Sequence, residues 1–247
     1  MFDNREFRGH PDKKEAMFYT CNSVNKLELY CNILQSSASL CSDVNSPDNM
    51  RHIVDKIPPD KYNKILDIGV ANGLETKILK DFGYSPVGII RGGANIDWAL
   101  KNFPGITFID CDMHDLPFIE DSFDAIYCNQ VFEHTFSPFI FLLECWCVLR
   151  EGGLFYMSIP NFEEKHTKND PSTIYSSWIS HHHPSLFPDN VNVQMFDKTG
   201  FELLSSIPSG GSFLLKKLPK SALHSSVQRA IKRRNVLASG KGSINDV

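Results

Sequence analysis

The sequence predicts an α/β fold, in which a mostly parallel, doubly wound sheet of seven strands carries helices on both faces and closes with an antiparallel hairpin. Three observations predict this class. Short apolar runs alternate with stretches of helical periodicity through the middle of the chain. A glycine turn from Gly69 to Gly73 connects the first apolar run to a helix. With 247 residues, of which 42% are hydrophobic, the chain is long enough to enclose one core of this kind.

The first unit of the predicted sheet is a strand, a turn and a helix. Ile65, Leu66 and Ile68 predict a short buried strand, and residues 74–81 have helical spacing. Glycines at both ends of the turn allow the backbone to approach a ligand closely, because no Cβ stands in the way. Free N–H groups at the start of the helix can bind a carboxylate or a phosphate. The turn is therefore a candidate ligand site, which Asp67 at the end of the strand would face.

The other strands and helices are predicted in the same way, from short apolar runs and from helical spacing of apolar residues. Further strands are expected at 86–90, 106–109, 123–128, 153–159, 201–207 and 213–215. Further helices are expected at 24–40, 49–57, 96–102, 138–150 and 191–199. The turn from Ser209 to Ser212 makes the last two strands a hairpin.

The chain divides into three predicted regions. Residues 1–60 are expected to form an N-terminal helical cap, residues 61–218 the main domain, and residues 219–247 a basic C-terminal tail. Within the main domain, residues 160–188 lose all periodicity and are rich in Asn, Asp, Pro, His and aromatic residues. An irregular insert beside a compact sheet is more often a functional loop than a linker.

Composition predicts a cytoplasmic protein with reduced thiols. The chain has no apolar stretch long enough to span a membrane, and it starts with a polar segment, so we expect neither a membrane span nor a secretory signal. Its seven cysteines are odd in number and form no C-x-x-C pair, which argues against a disulfide framework or a zinc ribbon.

Charge is distributed unevenly along the chain. From Lys216 onward there are eight basic residues and one acidic residue, a net +7, whereas the remainder has 17 basic and 28 acidic residues, a net −11. Such a tail can bind nucleic acid or anionic lipid, although a solvated terminal helix is the commoner explanation. The acidic body makes nucleic acid an unfavourable partner.

Polar side chains follow the predicted strands where each strand ends. In an open α/β sheet, ligands bind outside the carboxyl ends of the strands, where the strand order reverses. The residues at these positions are Asp67, Arg91, Asp110, Asp112, Asn129, Gln130, Glu133, His134 and Asn161.

Five blocks of sequence resemble the class I S-adenosylmethionine-dependent methyltransferases, particularly the small-molecule group related to the ubiquinone and menaquinone methyltransferases. These blocks occur in the family's order and at its spacing, and the resemblance extends from Ile65 to Asn161. They comprise residues 66–69 with Gly73, 112–118, 121–124, 131–134 and 148–153. The resemblance implies a Rossmann-like sheet and S-adenosyl-L-methionine as cofactor.

The resemblance also implies which residues bind the cofactor. Gly69, Ala71 and Gly73 would line its methionyl end, and Asp67 would support the turn and the ammonium group. On the adenine side, Asp112 and the backbone of Met113 would hold the base, and Asn129 after the fourth strand is a further predicted cofactor-binding residue. Two positions depart from the family pattern. Ala71 replaces a frequent glycine, which is a mild change if the local φ is negative.

The second departure is at the ribose position. Ile90, followed by Arg91, stands where the family usually has an acid that binds the ribose hydroxyls. Asn95 or Asp97 could replace that contact. Arg91 also suits a 2′-phosphate, so an NADP-binding Rossmann protein is one alternative, although the turn lacks G-x-G-x-x-G. A cofactor-binding module without turnover is another alternative.

The predicted reaction is transfer of a methyl group to an oxygen of a small molecule or glycan. His134 is the candidate base, helped by His182 or His183 in the insert, because an oxygen acceptor must lose its proton. Some relatives bind magnesium through E-x-x-E-H, but Gln130 replaces the first acid here, so we predict no metal. An RNA methyltransferase that uses the basic tail is a further alternative. The oligomeric state stays open.

Overall fold

The computed structural model describes residues 46–91, 93–160, 185, 187–207 and 211–238. Its seven strands are β1 (Lys64–Ile68), β2 (Ser85–Ile90), β3 (Thr107–Asp110), β4 (Phe123–Asn129), β5 (Leu149–Ser158), β6 (Phe201–Ile207) and β7 (Ser212–Lys217). Its helices are α1 (Pro47–Lys56), α2 (Leu74–Asp81), α3 (Gly93–Asn102), α4 (Pro138–Val148), α5 (Asp189–Lys198) and α6 (Ser225–Ala238). Short 3₁₀ turns cover Phe132–His134 and Lys220–Ala222.

The strands form one sheet in the order β3-β2-β1-β4-β5-β7-β6. The first five strands along the chain pair in parallel, and β7 pairs antiparallel with both β5 and β6. The predicted mostly parallel sheet with a closing hairpin is therefore confirmed. Chain order reverses between β1 and β4, which places the topological switch point, and with it the expected ligand crevice, at the carboxyl ends of these two strands.

The sheet separates two layers of buried side chains. Leu66, Ile126 and Phe155 face a large core that α4, α5 and α6 complete. Ile65 and Ala125, on neighbouring positions of the same strands, belong to a second core with residues of α1 and α2. This alternation follows from the period of two in a strand, and each face of a parallel sheet must be covered by helices.

The start of β5 differs from the sequence prediction, which extended the preceding helix to residue 150. Leu149 already pairs with Phe123 of β4, and a register shift follows before the next pair of residues. Arg150 Nε donates to Asp124 Oδ1 at 2.7 Å, which ties the first turn of β5 to the sheet. The helix therefore ends at Val148, because Leu149 is already extended and paired in the sheet.

The N-terminal cap is only partly described. Helix α1 begins after Ser46, whose side chain accepts a hydrogen bond from the Asn49 backbone N–H, and its Met50 and Ile53 are buried against the sheet. The predicted helix at 24–40 lies outside the described residues, as does the insert up to residue 184.

The C-terminal segment contains a helix that packs on the domain. Ile231 of α6 is 1% exposed and belongs to the large core. Arg234 of the same helix forms an ion pair with Glu144 of α4 at 2.9 Å. Part of the predicted basic tail is therefore attached to the folded core. Within the described ranges, none of the helices is both long and apolar enough to cross a membrane.

Candidate cofactor and active site

The glycine turn lies at the switch point and is fixed by backbone hydrogen bonds. The N–H groups of Gly69 and Val70 both donate to the Ile89 carbonyl of β2, at 2.9 and 3.2 Å. The Gly73 N–H donates to the Val70 carbonyl at 2.6 Å, which closes the turn directly before α2. The turn thus joins the ends of β1 and β2 and presents its backbone at the carboxyl edge of the sheet.

Both end glycines of this turn are required by geometry. Gly69 and Gly73 have φ of +84° and +83°, a conformation that favours glycine. A Cβ on Gly69 would lie 2.3 Å from Val131 Cγ2, and one on Gly73 would lie 3.0 Å from Ala99 Cβ. Ala71 has φ of +45°, so the condition under which alanine is a mild replacement is not met, and its backbone carries local strain.

Asp67 lies beneath the turn and is enclosed by protein. Its side chain is 1% exposed, and Oδ2 accepts a hydrogen bond of 2.6 Å from the Thr76 hydroxyl on α2. Burial and, secondarily, the nearby charge of Glu75 raise the pKa of Asp67 to about 8. The hydrogen bond from Thr76 links Asp67 to α2, so this side chain supports the turn from below.

Glu75 is a candidate site residue that sequence reasoning missed. It is the second residue of α2, and its Oε1 accepts hydrogen bonds from Asn129 Nδ2 at 2.7 Å and from the Tyr127 hydroxyl at 3.2 Å. The side chain is half-buried, and desolvation raises its pKa to about 7 despite these two donors. An acid in the first turn of the helix after a glycine turn was the available signal. Its contacts with Asn129 and Tyr127 could not be predicted, because they depend on the pairing of β1 with β4.

Asp112, the predicted adenine-side acid, lies at the end of β3 and makes three contacts with protein groups. Its Oδ2 accepts from Arg91 Nη1 at 2.8 Å, and its Oδ1 accepts from the backbone N–H of His114 at 2.9 Å and contacts the ring Nδ1 at 2.8 Å. Burial alone would raise the pKa of Asp112, but the His114 hydrogen bonds and the Arg91 charge lower it overall. Asp112 is therefore an anion at neutral pH.

The ribose position carries an apolar side chain, Ile90, in an apolar environment. Ile90 packs against a small apolar cluster beneath α3, while Arg91 turns towards Asp112. The His114 ring, which contacts Asp112, stacks on Phe136 with 4.3 Å between ring centroids. Asp97 on α3 is exposed, and the side chain of Asn95 lies outside the described residues. Met113 packs on the large core, which leaves its backbone beside Asp112.

The predicted catalytic residues are only partly described. His134 ends the 3₁₀ turn after β4, its side chain is 24% exposed, and its Nε2 is 3.9 Å from Glu133 Oε1. Gln130 has φ of +55° and bonds to Ser158 through its backbone and its amide. His182 and His183 lie outside the described residues. The described ranges hold no group of three potential metal-ligating side chains.

Comparison with known proteins matches residues 66–157 to a family described as a methyltransferase domain. These boundaries begin inside β1 and end inside β5, so the match contains the glycine turn, Asp112 and His134. Residues 66–157 are a class I S-adenosylmethionine-dependent methyltransferase domain. S-adenosyl-L-methionine is the cofactor of this family.

Curated relatives resemble this methyltransferase domain over a limited length. A Mycolicibacterium smegmatis protein named as a probable S-adenosylmethionine-dependent methyltransferase is 28% identical over 97 residues, which cover 39% of this chain and 38% of that protein. The mitochondrial ubiquinone biosynthesis O-methyltransferase of Rattus norvegicus is 33% identical over 106 residues, covering 40% of this chain and 31% of that enzyme. The chain therefore spans about a third of the length of these curated relatives.

A solved structure extends the comparison of the methyltransferase fold. The Burkholderia thailandensis 1,6-didemethyltoxoflavin-N1-methyltransferase, crystallised with 1,6-didemethyltoxoflavin and S-adenosylhomocysteine, superimposes with a TM-score of 0.59. It is 15% identical, and the alignment covers 81% of this chain and 92% of that one. At this identity the likeness establishes the fold alone.

Proposed function

We propose that the protein binds S-adenosylmethionine and transfers its methyl group to an oxygen atom of a small molecule. The observation that carries this proposal is the glycine turn at the switch point, where a side chain on Gly69 would clash with Val131. A turn that excludes side chains at the carboxyl edge fits close approach of a ligand to the backbone. The bound cofactor supplies an electrophilic methyl group on a sulfonium.

The residues of the edge fit the parts of this cofactor. Gly69, Ala71 and Gly73 would line the methionyl end, and Asp112 with the Met113 backbone would hold the adenine. At the ribose, the side chain of Ile90 offers no hydrogen bond, so the Arg91 guanidinium, which contacts Asp112, is a candidate donor. This arrangement supports cofactor binding with a ribose contact that differs from the family pattern.

His134 is proposed as the group that orients the acceptor and removes its proton, without a metal. It ends the 3₁₀ turn that follows β4, two residues before Phe136, whose ring stacks on the His114 ring beside Asp112. Ser185, two residues after His183 in the chain, donates its backbone N–H to the Glu133 carbonyl at 3.0 Å. This contact attaches the end of the insert to the loop that carries His134, and it supports a role for His182 or His183 at the same site.

A small molecule is the favoured acceptor class. Relatives include enzymes named for ubiquinone biosynthesis O-methylation and for fatty-acid O-methylation, and a solved neighbour acts on 1,6-didemethyltoxoflavin. A glycan acceptor is the second candidate. An RNA acceptor is less favoured, because Arg234 of the basic segment is engaged with Glu144 and with backbone carbonyls.

Titration calorimetry of the purified protein tests the proposed cofactor. We expect heat of binding with S-adenosylmethionine and with S-adenosylhomocysteine, and none with NADPH, because the glycine turn and Asp112 match the adenosyl compounds. Binding of NADPH without either adenosyl compound would contradict the proposal and favour the NADP-binding alternative. Cofactor binding without product formation from any cognate acceptor would favour the inactive module.

Asp112→Ala is expected to weaken binding of S-adenosylhomocysteine more than Asp97→Ala does. Loss of a ligand hydrogen bond to a charged acceptor costs about 1.5–3 kcal/mol, roughly ten- to hundredfold in affinity. Asp97 is exposed on α3 and serves as the matched control. Calorimetric dissociation constants for both variants decide the order, and a larger loss for Asp97→Ala would move the ribose contact to α3.

A further inference from the structure

Two carboxyl groups lie beside the glycine turn, and only one of them has a surface that a ligand can reach. Asp67 of β1 is in register with Tyr127 of β4, so both side chains project from the same face of the sheet. Asp67 is 1% exposed and engaged with Thr76, whereas Glu75 is half-buried and lies nearer the carboxyl edge, beside Asn129. A charged ligand group therefore meets Glu75 before it meets Asp67.

The Glu75 carboxylate bridges the switch point. It starts from α2, which follows β1, and reaches Asn129 and Tyr127 on β4. The two donors act on the same oxygen, Oε1, and hold the carboxylate in one place at the crevice. A desolvated carboxylate with neutral donors is stabilised further by a cation, because a cation within contact distance favours the charged form.

The order of strands separates the two ends of the crevice. β4 lies on one side of β1, and β2 followed by β3 lies on the other. Glu75 is on the β4 side, whereas Asp112 follows the carboxyl end of β3 and contacts Arg91, which follows β2. A ligand that crosses the end of β1 with its adenine towards Asp112 has its amino-acid end towards Glu75.

We propose that the Glu75 carboxylate is the counter-charge for the α-ammonium of the cofactor's methionyl end, that Asn129 holds it in position, and that Asp67 only supports the turn. This inference rests on the proposed function and adds a binding residue to it. In this proposal Asn129 acts on the cofactor indirectly, because its amide orients the Glu75 carboxylate.

The test compares two ligands that differ at the methionyl end. S-adenosylhomocysteine has the ammonium and carboxylate groups, whereas 5′-methylthioadenosine has the adenosine and the sulfur without either. Glu75→Gln, which keeps the size of the side chain, is expected to weaken S-adenosylhomocysteine binding roughly ten- to hundredfold and to leave 5′-methylthioadenosine affinity unchanged. Asp81→Asn, at an exposed position on the same helix, is the matched control and is expected to change neither affinity. Asp67→Asn is measured beside it as the competing carboxyl group.

Three outcomes of the titrations would count against the proposal. Unchanged S-adenosylhomocysteine affinity in Glu75→Gln overturns it, and so does an equal loss for both ligands, which would indicate a structural role. A larger selective loss in Asp67→Asn would give the ammonium to Asp67. A wild-type protein that binds neither adenosyl compound would overturn the proposed function itself, so the two failures are distinguishable.

Proton release from the wild-type protein gives a second readout that needs no variant. An ammonium beside Glu75 would lower the pKa of this group from about 7, so binding near pH 7 would release protons. Within the described residues, the titratable groups that interact electrostatically with Glu75 include Asp67, Tyr127, Cys128 and Tyr156. Calorimetry in buffers of different ionisation enthalpy should show release with S-adenosylhomocysteine and none with 5′-methylthioadenosine. Equal release with both ligands would contradict the proposal.

Discussion

Glu144→Ala is expected to lower the free energy of unfolding by about 3–5 kcal/mol, because removal of one partner leaves a buried charge without compensation. Glu144 Oε1 accepts from Arg234 Nε and Oε2 from Arg234 Nη2, both at 2.9 Å, and Oε2 also accepts from the Leu116 N–H at 2.9 Å. The two side chains are only 7% and 15% exposed. One variant therefore disrupts the attachment of α6, α4 and the loop after β3 together.

Urea unfolding followed by circular dichroism measures this effect, and an exposed ion pair provides the control. Lys77 and Asp81 form a pair one turn apart on α2, with side chains 40% and 59% exposed. Asp81→Ala should cost less than about 0.5 kcal/mol, since solvent screens such pairs. Equal losses in the two variants would show that the Glu144 pair does not anchor the C-terminal helix.

Gly69→Ala is expected to cost about 2–4 kcal/mol of stability, from two sources. Alanine at φ of +84° is strained, which costs about 1 kcal/mol or more. The added Cβ would lie 2.3 Å from Val131 Cγ2, and such overpacking costs typically about 1–3 kcal/mol. The glycine turn would then shift relative to β4.

Two further variants separate these sources in the same unfolding assay. Gly152 has φ of +70° and nothing within 4 Å of an added Cβ, so Gly152→Ala should show the backbone cost alone. In a Val131→Ala background, Gly69→Ala should lower the free energy of unfolding by the backbone cost alone, because the side-chain atoms that the new Cβ would strike are removed. If Gly69→Ala is no worse than Gly152→Ala, the contact with Val131 does not constrain the turn.

The sequence determined those features that depend on neighbours along the chain. The predicted helix at 74–81 and strand at 201–207 agree with α2 and β6 at both ends, because periodicity and glycine boundaries are local signals. The motif blocks likewise predicted the class of cofactor, and the domain match over residues 66–157 confirms the family. The assignments of His134, His182 and His183 stay predictions, since they concern an acceptor that no local pattern identifies.

Only the tertiary structure decided which distant groups meet. The sequence placed the last two strands in a hairpin, but only the fold put β7 between β5 and β6. It brought Glu75 to Asn129, 54 positions away, and Arg91 to Asp112, 21 positions away. It also attached Arg234 to Glu144, 90 positions away, which turned part of a predicted tail into a packed helix. Such contacts depend on strand order and on burial of the whole chain, and a local pattern contains neither.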